Sequence, residues 1–328
     1  MTNADGVRGP LPDVSAQQLV GSFLADLADD GAVALPPPTA DRRPPDRLRA
    51  RLLAAARDRA RGAVLPDPAS LPEAALPYAT QIAAWDELLA QITDSAVPGT
   101  VAVPAMVVHG WGVADTLGHL LAVDALAARA LGIEGPPETG TGDDVATRTS
   151  AVHSYFARLG LDAVAQAWRA QAVAILRHAQ AGGERRAADL VNYLGFPLAA
   201  GDVLLDRAFE AWVHAEDLRE SLGLSTSPPP PEHVARLTDL GARILPYTLQ
   251  ELGVQPPVVL ELTGPGGGTW SLNRGDTDEA PTRLAMDAVA FCHLAGGRVD
   301  PDRAVYDVDG DVATGAAVVR AVAALARL

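Results

Sequence analysis

The sequence predicts a mainly α protein. It reads as a helical extension, then a four-helix bundle, then a small α+β carboxy-terminal domain of α/β-sandwich-like build. Three observations predict it. Four stretches between residues 73 and 222 repeat apolar residues at three- and four-residue intervals, as at Ile82, Trp85, Leu88, Leu89 and Ile92. After the run SPPPPE the apolar pattern shortens to the strand-like words PVVLELTG and GTWSLN. A chain of 328 residues is also long enough for two cores and an appendage.

Residues 1–70 form the extension. Ser15 and Gln18 have the spacing of a capping box, which predicts a helix from Ser15 to Asp29. Pro36, Pro37 and Pro38 break the chain, and a second helix is expected from Pro45 to about Gly62. Between Asp41 and Gly62 stand eight arginines and three aspartates, a local +5. That reads either as a docking arm for an acidic partner or nucleic acid, or as a solvated helix folding back on an acidic body. Its words PPDRLRARLLAAARDRA resemble a segment that anti-sigma factors carry next to a proline-rich stretch.

Pro66, Pro68 and Pro72 mark a linker into the bundle, residues 71–227. Helices are expected at about 73–94, 111–132, 145–181 and 198–222. Pro228–Pro231 closes the bundle as a semi-rigid linker, and residues 232–328 form the last domain. There PVVLELTG (257–264) and GTWSLN (268–273) are strands joined by a GPGGG turn. AMDAVAFCHLAG reads as a helix, AVYDVDGD as a strand with its turn, and the final fifteen residues as another helix.

Composition narrows the function. Acidic residues outnumber basic ones 41 to 26, a formal charge of −15, and every basic residue is arginine. Such a chain is poorly suited to neutralising a phosphate backbone, which argues against nucleic acid. The single cysteine, Cys292, excludes an internal disulfide and multi-cysteine metal sites. It fits a reducing, cytoplasmic setting. The first residues lack the features of a signal peptide, and no apolar run approaches the roughly 18 residues of a membrane span.

Several motifs fail on their chemistry. GPGGGTW lacks the lysine and hydroxyl of a phosphate loop, and DVDGDVATG lacks the sixth-position glycine and twelfth-position carboxylate of a calcium loop. No G-x-S-x-G nucleophile elbow is present. Cys292, in an apolar helix, reads as packed and not reactive. One constellation survives. In AFEAWVHAEDLRESLGL, Glu210 and His214 stand at i and i+4 on an otherwise apolar helix, and Asp217 continues their stripe. His119, in WGVADTLGHLLAVDAL, is likewise flanked by apolar residues. Two histidines and a glutamate match a catalytic zinc site with its fourth position open. By spacing alone, His109, His153, His178, His233 and His293 compete as ligands.

WGVADTLGHL resembles the W-x-V-x-D-x-x-x-H-L signature of the DinB-like, mycothiol-dependent maleylpyruvate isomerase family. EAWVHAEDLRESLGL resembles that family's E-x-x-x-H-x-x-D-[LI]-R element. LELTGPGGGTWSLN, DAVAFCHLAGGRVDP and VDGD resemble its small carboxy-terminal domain. The resemblance covers roughly residues 73–328 and leaves out residues 1–70. It implies a DinB-like four-helix bundle and a metal site of His119, Glu210 and His214, holding zinc or another divalent ion. It further implies mycothiol, or a similar low-molecular-weight thiol, as cosubstrate.

From this follows an expected thiol-dependent cis–trans isomerase or thiol S-transferase acting on an electrophilic or unsaturated acid. Asp217 is the expected outer partner of a ligand, with a salt bridge to Arg219 or another basic group as the competing reading. Arg298, in the family-like LAGGR element, is the candidate for holding a substrate carboxylate. A non-catalytic regulator with an anti-sigma-like arm and a metal-water hydrolase stand as alternatives.

Overall fold

The computed structural model describes residues 64–95, 110–135, 139–140, 142–273 and 280–327. The expected helices at 15–29 and 45–62, the arginine-rich segment and His109 lie outside the described residues.

Two short 3₁₀ turns, Pro68–Ser70 and Glu73–Ala75, lead into α1 (Leu76–Ser95). Its inward stripe, Tyr78, Ile82, Trp85 and Leu88, is fully buried, as the sequence period requires. Helix α2 (Val113–Ala130) is apolar almost all round and buried along most of its length, which makes it the centre of the bundle. Helix α3 (Val145–Phe156) packs on α2, and its first turn is capped by Asp144, whose Oδ1 accepts the Thr147 N–H at 2.7 Å. Helices α4 (Leu161–Ala187) and α5 (Ala200–Ser221) complete the four-helix bundle with α1 and α2. Trp85 and Trp168 meet edge to face in its core, ring centroids 5.6 Å apart.

The single helix expected over 145–181 is two. Gly160 has φ +82°, a backbone conformation that an L side chain rarely adopts, and it separates α3 from α4. Between α4 and α5 lies a hairpin that the helical reading of 198–222 left out, β1 (Leu190–Tyr193) paired antiparallel with β2 (Phe196–Ala199).

Helix α6 (Pro231–Glu251) follows the proline run and packs against both α5 and the carboxy-terminal helices. The sheet contains β3 (Val258–Thr263), β4 (Gly268–Leu272), β5 (Thr282–Asp287) and β6 (Asp307–Asp309), in the order β4-β3-β5-β6. Strands β3 and β5 are parallel and the other pairs antiparallel. Val258, Leu260 and Leu262 of β3 and Leu284 and Met286 of β5 face inward. Helices α6, α7 (Ala288–Ala295) and α8 (Val312–Ala324) pack against the sheet. The expected helix AMDAVAFCHLAG starts only at Ala288, because Asp287 caps it by accepting the Val289 and Ala290 N–H groups. The fold is a four-helix bundle with a small α+β domain, and one apolar core runs through both.

No helix among the described residues is long and apolar enough to cross a membrane. We propose that residues 1–70 are dispensable for the rest of the chain. Leu71, Ala75 and Tyr78 carry the start of α1 into the core, whereas upstream Leu65 is only partly buried. A chain beginning at Ser70 is expected to stay folded and to bind metal. Precipitation or loss of metal would place the boundary further upstream.

Candidate metal centre

Helix α2 delivers His119 and helix α5 delivers Glu210 and His214 to one point in the bundle. Three of the motif words around His119 have direct structural duties. Asp115 accepts the Gly112 N–H at 3.0 Å and so ties off the start of α2. Trp111 lies over the His119 ring, centroids 4.9 Å apart. Gly118 leaves room for His153, whose Cδ2 would lie 2.8 Å from a Cβ at that position.

His119 Nε2 is 3.7 Å and His214 Nε2 is 3.4 Å from Glu210 Oε2. The three candidate ligand atoms all lie within 4.8 Å of one another. Ligands at zinc's usual distances in a tetrahedron are separated by roughly 3.3 Å, so the observed spacings fit such an ion with small adjustments. The second nitrogens of the two rings are also held. His119 Nδ1 is 3.1 Å from Thr149 Oγ1, and His214 Nδ1 is 3.3 Å from Asp217 Oδ2. Such outer contacts fix the tautomer and orientation of ligating imidazoles.

The electrostatics favour metal-ready protonation at two of the three positions. Burial lowers the His119 pKa, against the pull of Glu210, which keeps that imidazole neutral. Burial would raise Glu210, yet hydrogen bonds to His119 and His214 and the nearby Arg207 hold it well below the usual carboxylate range. His214 goes the other way. Burial lowers it, but Asp217 and Glu210 together outweigh that and raise it.

Asp217 takes up both readings the sequence left open, with Arg298 in place of Arg219. Its carboxylate accepts Arg298 Nη2 at 2.6 Å and Nε at 3.2 Å, while touching His214. Arg219 instead donates to the Ala84 carbonyl at 3.4 Å. Arg298 Nη2 also lies 3.3 Å from His214 Nδ1. Asp217→Asn is expected to weaken metal affinity about 10–100-fold without unfolding the protein, as losing an outer partner does. Competitive titration with a chromophoric chelator measures it, and an unchanged affinity removes the role.

A cavity of about 380 Å³ opens over the three ligand candidates. Its walls come from both halves of the fold: Trp111, Arg207 and Phe209 from the bundle, Phe291, Cys292 and Arg298 from the carboxy-terminal domain. Cys292 therefore borders the site. Burial, with help from Asp287 and Glu216, pushes its thiol up to about 12, so it is protonated and unreactive at neutral pH. Below the site a buried network anchors α5. Asp124 Oδ2 accepts Tyr78 Oη at 2.5 Å and Trp168 Nε1 at 2.8 Å, and Asp124 Oδ1 lies 3.9 Å from Arg207 Nη1.

Two of the competing histidines are engaged elsewhere. His153 donates to the Asp115 carbonyl at 2.7 Å, and His293 Nε2 meets Glu216 at 2.8 Å. His178 and His233 lie outside the cluster.

Residues 78–219 match the family model for the mycothiol maleylpyruvate isomerase N-terminal domain. That segment belongs to this family. It contains His119, Glu210, His214 and Asp217, and it excludes Cys292, Arg298 and the first 70 residues. Uncharacterized proteins of two Mycobacterium tuberculosis strains, H37Rv and CDC 1551, are 29% identical over 202 residues, covering 58% of this chain and 73% of theirs. The crystal structure of the mycothiol-dependent maleylpyruvate isomerase is 19% identical with a TM-score of 0.45, covering 72% of this chain and 93% of that one. A point mutant of that enzyme gives a TM-score of 0.44 at the same identity and coverage.

The family-matched segment carries two residues in contact with His119 that sequence reasoning missed. Trp111 was quoted only as a motif letter, though an aromatic eight residues before a candidate ligand could have been read as its neighbour. Thr149 carried no signal at all, because its approach to His119 spans two helices.

Proposed function

We propose that His119, Glu210 and His214 hold one divalent metal, zinc by donor type, and that the protein is an enzyme using an external low-molecular-weight thiol. The thiol is mycothiol or a close analogue, and the substrate is an electrophilic or unsaturated acid. The reaction is cis–trans isomerisation or thiol transfer. The observation that carries this reading is the convergence of two imidazoles and a carboxylate at the floor of a cavity, inside a segment of the mycothiol maleylpyruvate isomerase family.

A bound divalent cation stabilises thiolate over thiol, which makes an incoming thiol nucleophilic at neutral pH. The rest falls to the chain. Asp217 and Thr149 hold the two imidazoles in fixed orientation. Arg298, pinned beside His214 by Asp217, stands at the cavity wall, where its guanidinium edge can take one substrate carboxylate. Phe209, Phe291 and Trp111 limit water in the cavity. Cys292, protonated and packed, leaves the nucleophile to be supplied from outside. Addition of sulfur to one carbon of a cis double bond, rotation, and expulsion of the same sulfur give the isomer. Retention of the new carbon–sulfur bond, with the neighbouring carbon taking up the proton the thiol gave up, gives transfer.

The regulatory alternative rests on residues 1–70, which lie outside the family match. We also assign the protein to the cytoplasm, on its single, reduced cysteine. The test is turnover of maleyl-type and other electrophilic acids by metal-loaded protein with and without added thiol. Turnover is expected only with thiol and is expected to survive Cys292→Ala. Undiminished turnover without thiol would identify a metal-water hydrolase, and loss in Cys292→Ala would identify an internal nucleophile.

A further inference from the structure

We infer that a groove between the β1–β2 hairpin and α6 is the subsite for a hydrocarbon group of the electrophile. The preferred substrate is then a singly charged electrophilic acid with an apolar substituent, not a dicarboxylate. This deepens the proposed function and rests on it.

The groove has a volume of about 80 Å³ and is walled by Leu194, Phe196, Leu198, Leu240, Ile244 and Tyr247. It continues the metal cavity, because Leu194, Asp206, Leu240 and Ile244 border both spaces. Its form follows from the hairpin. Leu194 and Gly195 both have positive φ, +51° and +88°, which turns the chain tightly and brings Phe196 against Tyr247, ring centroids 5.8 Å apart. Tyr247 is half exposed at the mouth, whereas Leu240 is buried at the inner end. A small-molecule site is commonly apolar with few polar groups, and this one has that character.

Charge argues for the same occupant. The groove wall holds one carboxylate, Asp206, which accepts Tyr193 Oη at 2.9 Å and Arg207 Nε at 3.2 Å, and no basic side chain lines it, so it offers a substrate carboxylate no cation. Among the described residues, two arginines line the metal cavity, and each already faces a carboxylate: Arg207 faces Asp206 and Asp124, Arg298 faces Asp217. One substrate carboxylate can share Arg298. A second carboxylate directed into the groove would meet apolar walls without a cationic partner, which is strongly unfavourable.

The test uses unreactive probes on the full-length, zinc-loaded protein: N-methyl-, N-propyl-, N-butyl- and N-benzylsuccinamic acid, with succinate as the dicarboxylate, titrated by calorimetry. Affinity is expected to rise about fourfold per methylene from methyl to butyl, the usual return on burying hydrocarbon. Succinate is expected to bind more weakly than the butyl probe. In Leu198→Trp, which fills the groove, and in Tyr247→Ala, which opens its mouth, the gain per methylene is expected to shrink to less than twofold. Affinity independent of chain length, a gain unchanged in both variants, or succinate as the tightest ligand would each overturn the inference. The probes need no thiol, so a failure of thiol chemistry leaves this measurement intact. Conversely, thiol-dependent turnover without chain-length dependence would remove only the groove.

Discussion

Replacing His214 with alanine is expected to abolish tight metal binding. His214 is one of the three proposed ligands, and its Nε2 stands 3.4 Å from Glu210 with its ring almost wholly buried. Loss of an outer partner typically weakens affinity about 10–100-fold, and loss of one ligand in three must exceed that. His153→Ala provides the control. That ring also packs on Trp111, 5.4 Å between centroids, but it donates to a backbone carbonyl and is no member of the cluster. Metal content of the purified variants decides. A His214→Ala protein that keeps a full equivalent would exclude the assignment.

The largest loss of stability is expected for Asp124→Ala. Its carboxylate accepts from Tyr78 and Trp168, both buried, and balances Arg207, which is 2% exposed. Removing it strands two donors and weakens the pairing of a buried cation, a change that commonly costs about 3–5 kcal/mol. The urea midpoint should fall by about 1 M or more. Asp124→Asn keeps an acceptor and should lose less.

Burial pushes the Asp124 carboxyl up to about 6, against the pull of Arg207, Tyr78 and Trp168. The native state therefore holds this proton more tightly than the unfolded chain, and the associated stability is lost as pH rises through about 6. Asp124→Asn should flatten that part of the stability profile. A loss under about 1 kcal/mol in Asp124→Ala would contradict the network.

The bundle was legible because its signals are local. The apolar period of α1, the i,i+4 pair Glu210–His214 and the capped start of α2 can each be read within one turn or two of helix. The hairpin β1–β2 was not, since LVNYLGFPLA is short and its turn depends on Leu194 adopting a positive φ. Helix α6 was hidden by the proline run. Pro231 stands at its first turn, where a missing N–H costs nothing, and the run was read only as a linker. The end of β5 was absorbed into a helix because AMD joins AVAFCHLA without a break and only the Asp287 cap separates them, and its start, TRL, was given no element. Of the site, the three proposed ligands could be named from motif and helix face. Their outer contacts could not. Thr149 comes from another helix, and the Asp217–Arg298 pair joins residues 81 apart in sequence. The position of Cys292 beside the cavity likewise depends on how α7 docks against the bundle.

The central claim is that His119, Glu210 and His214 hold a metal with a position open to an external thiol. Cobalt-substituted protein titrated with mycothiol or a simple analogue tests it most directly. The account predicts a sulfur-to-cobalt charge-transfer band that saturates at one thiol per chain, persists in Cys292→Ala and is absent in His214→Ala. A cobalt-loaded protein whose spectrum is unmoved by saturating thiol would contradict it.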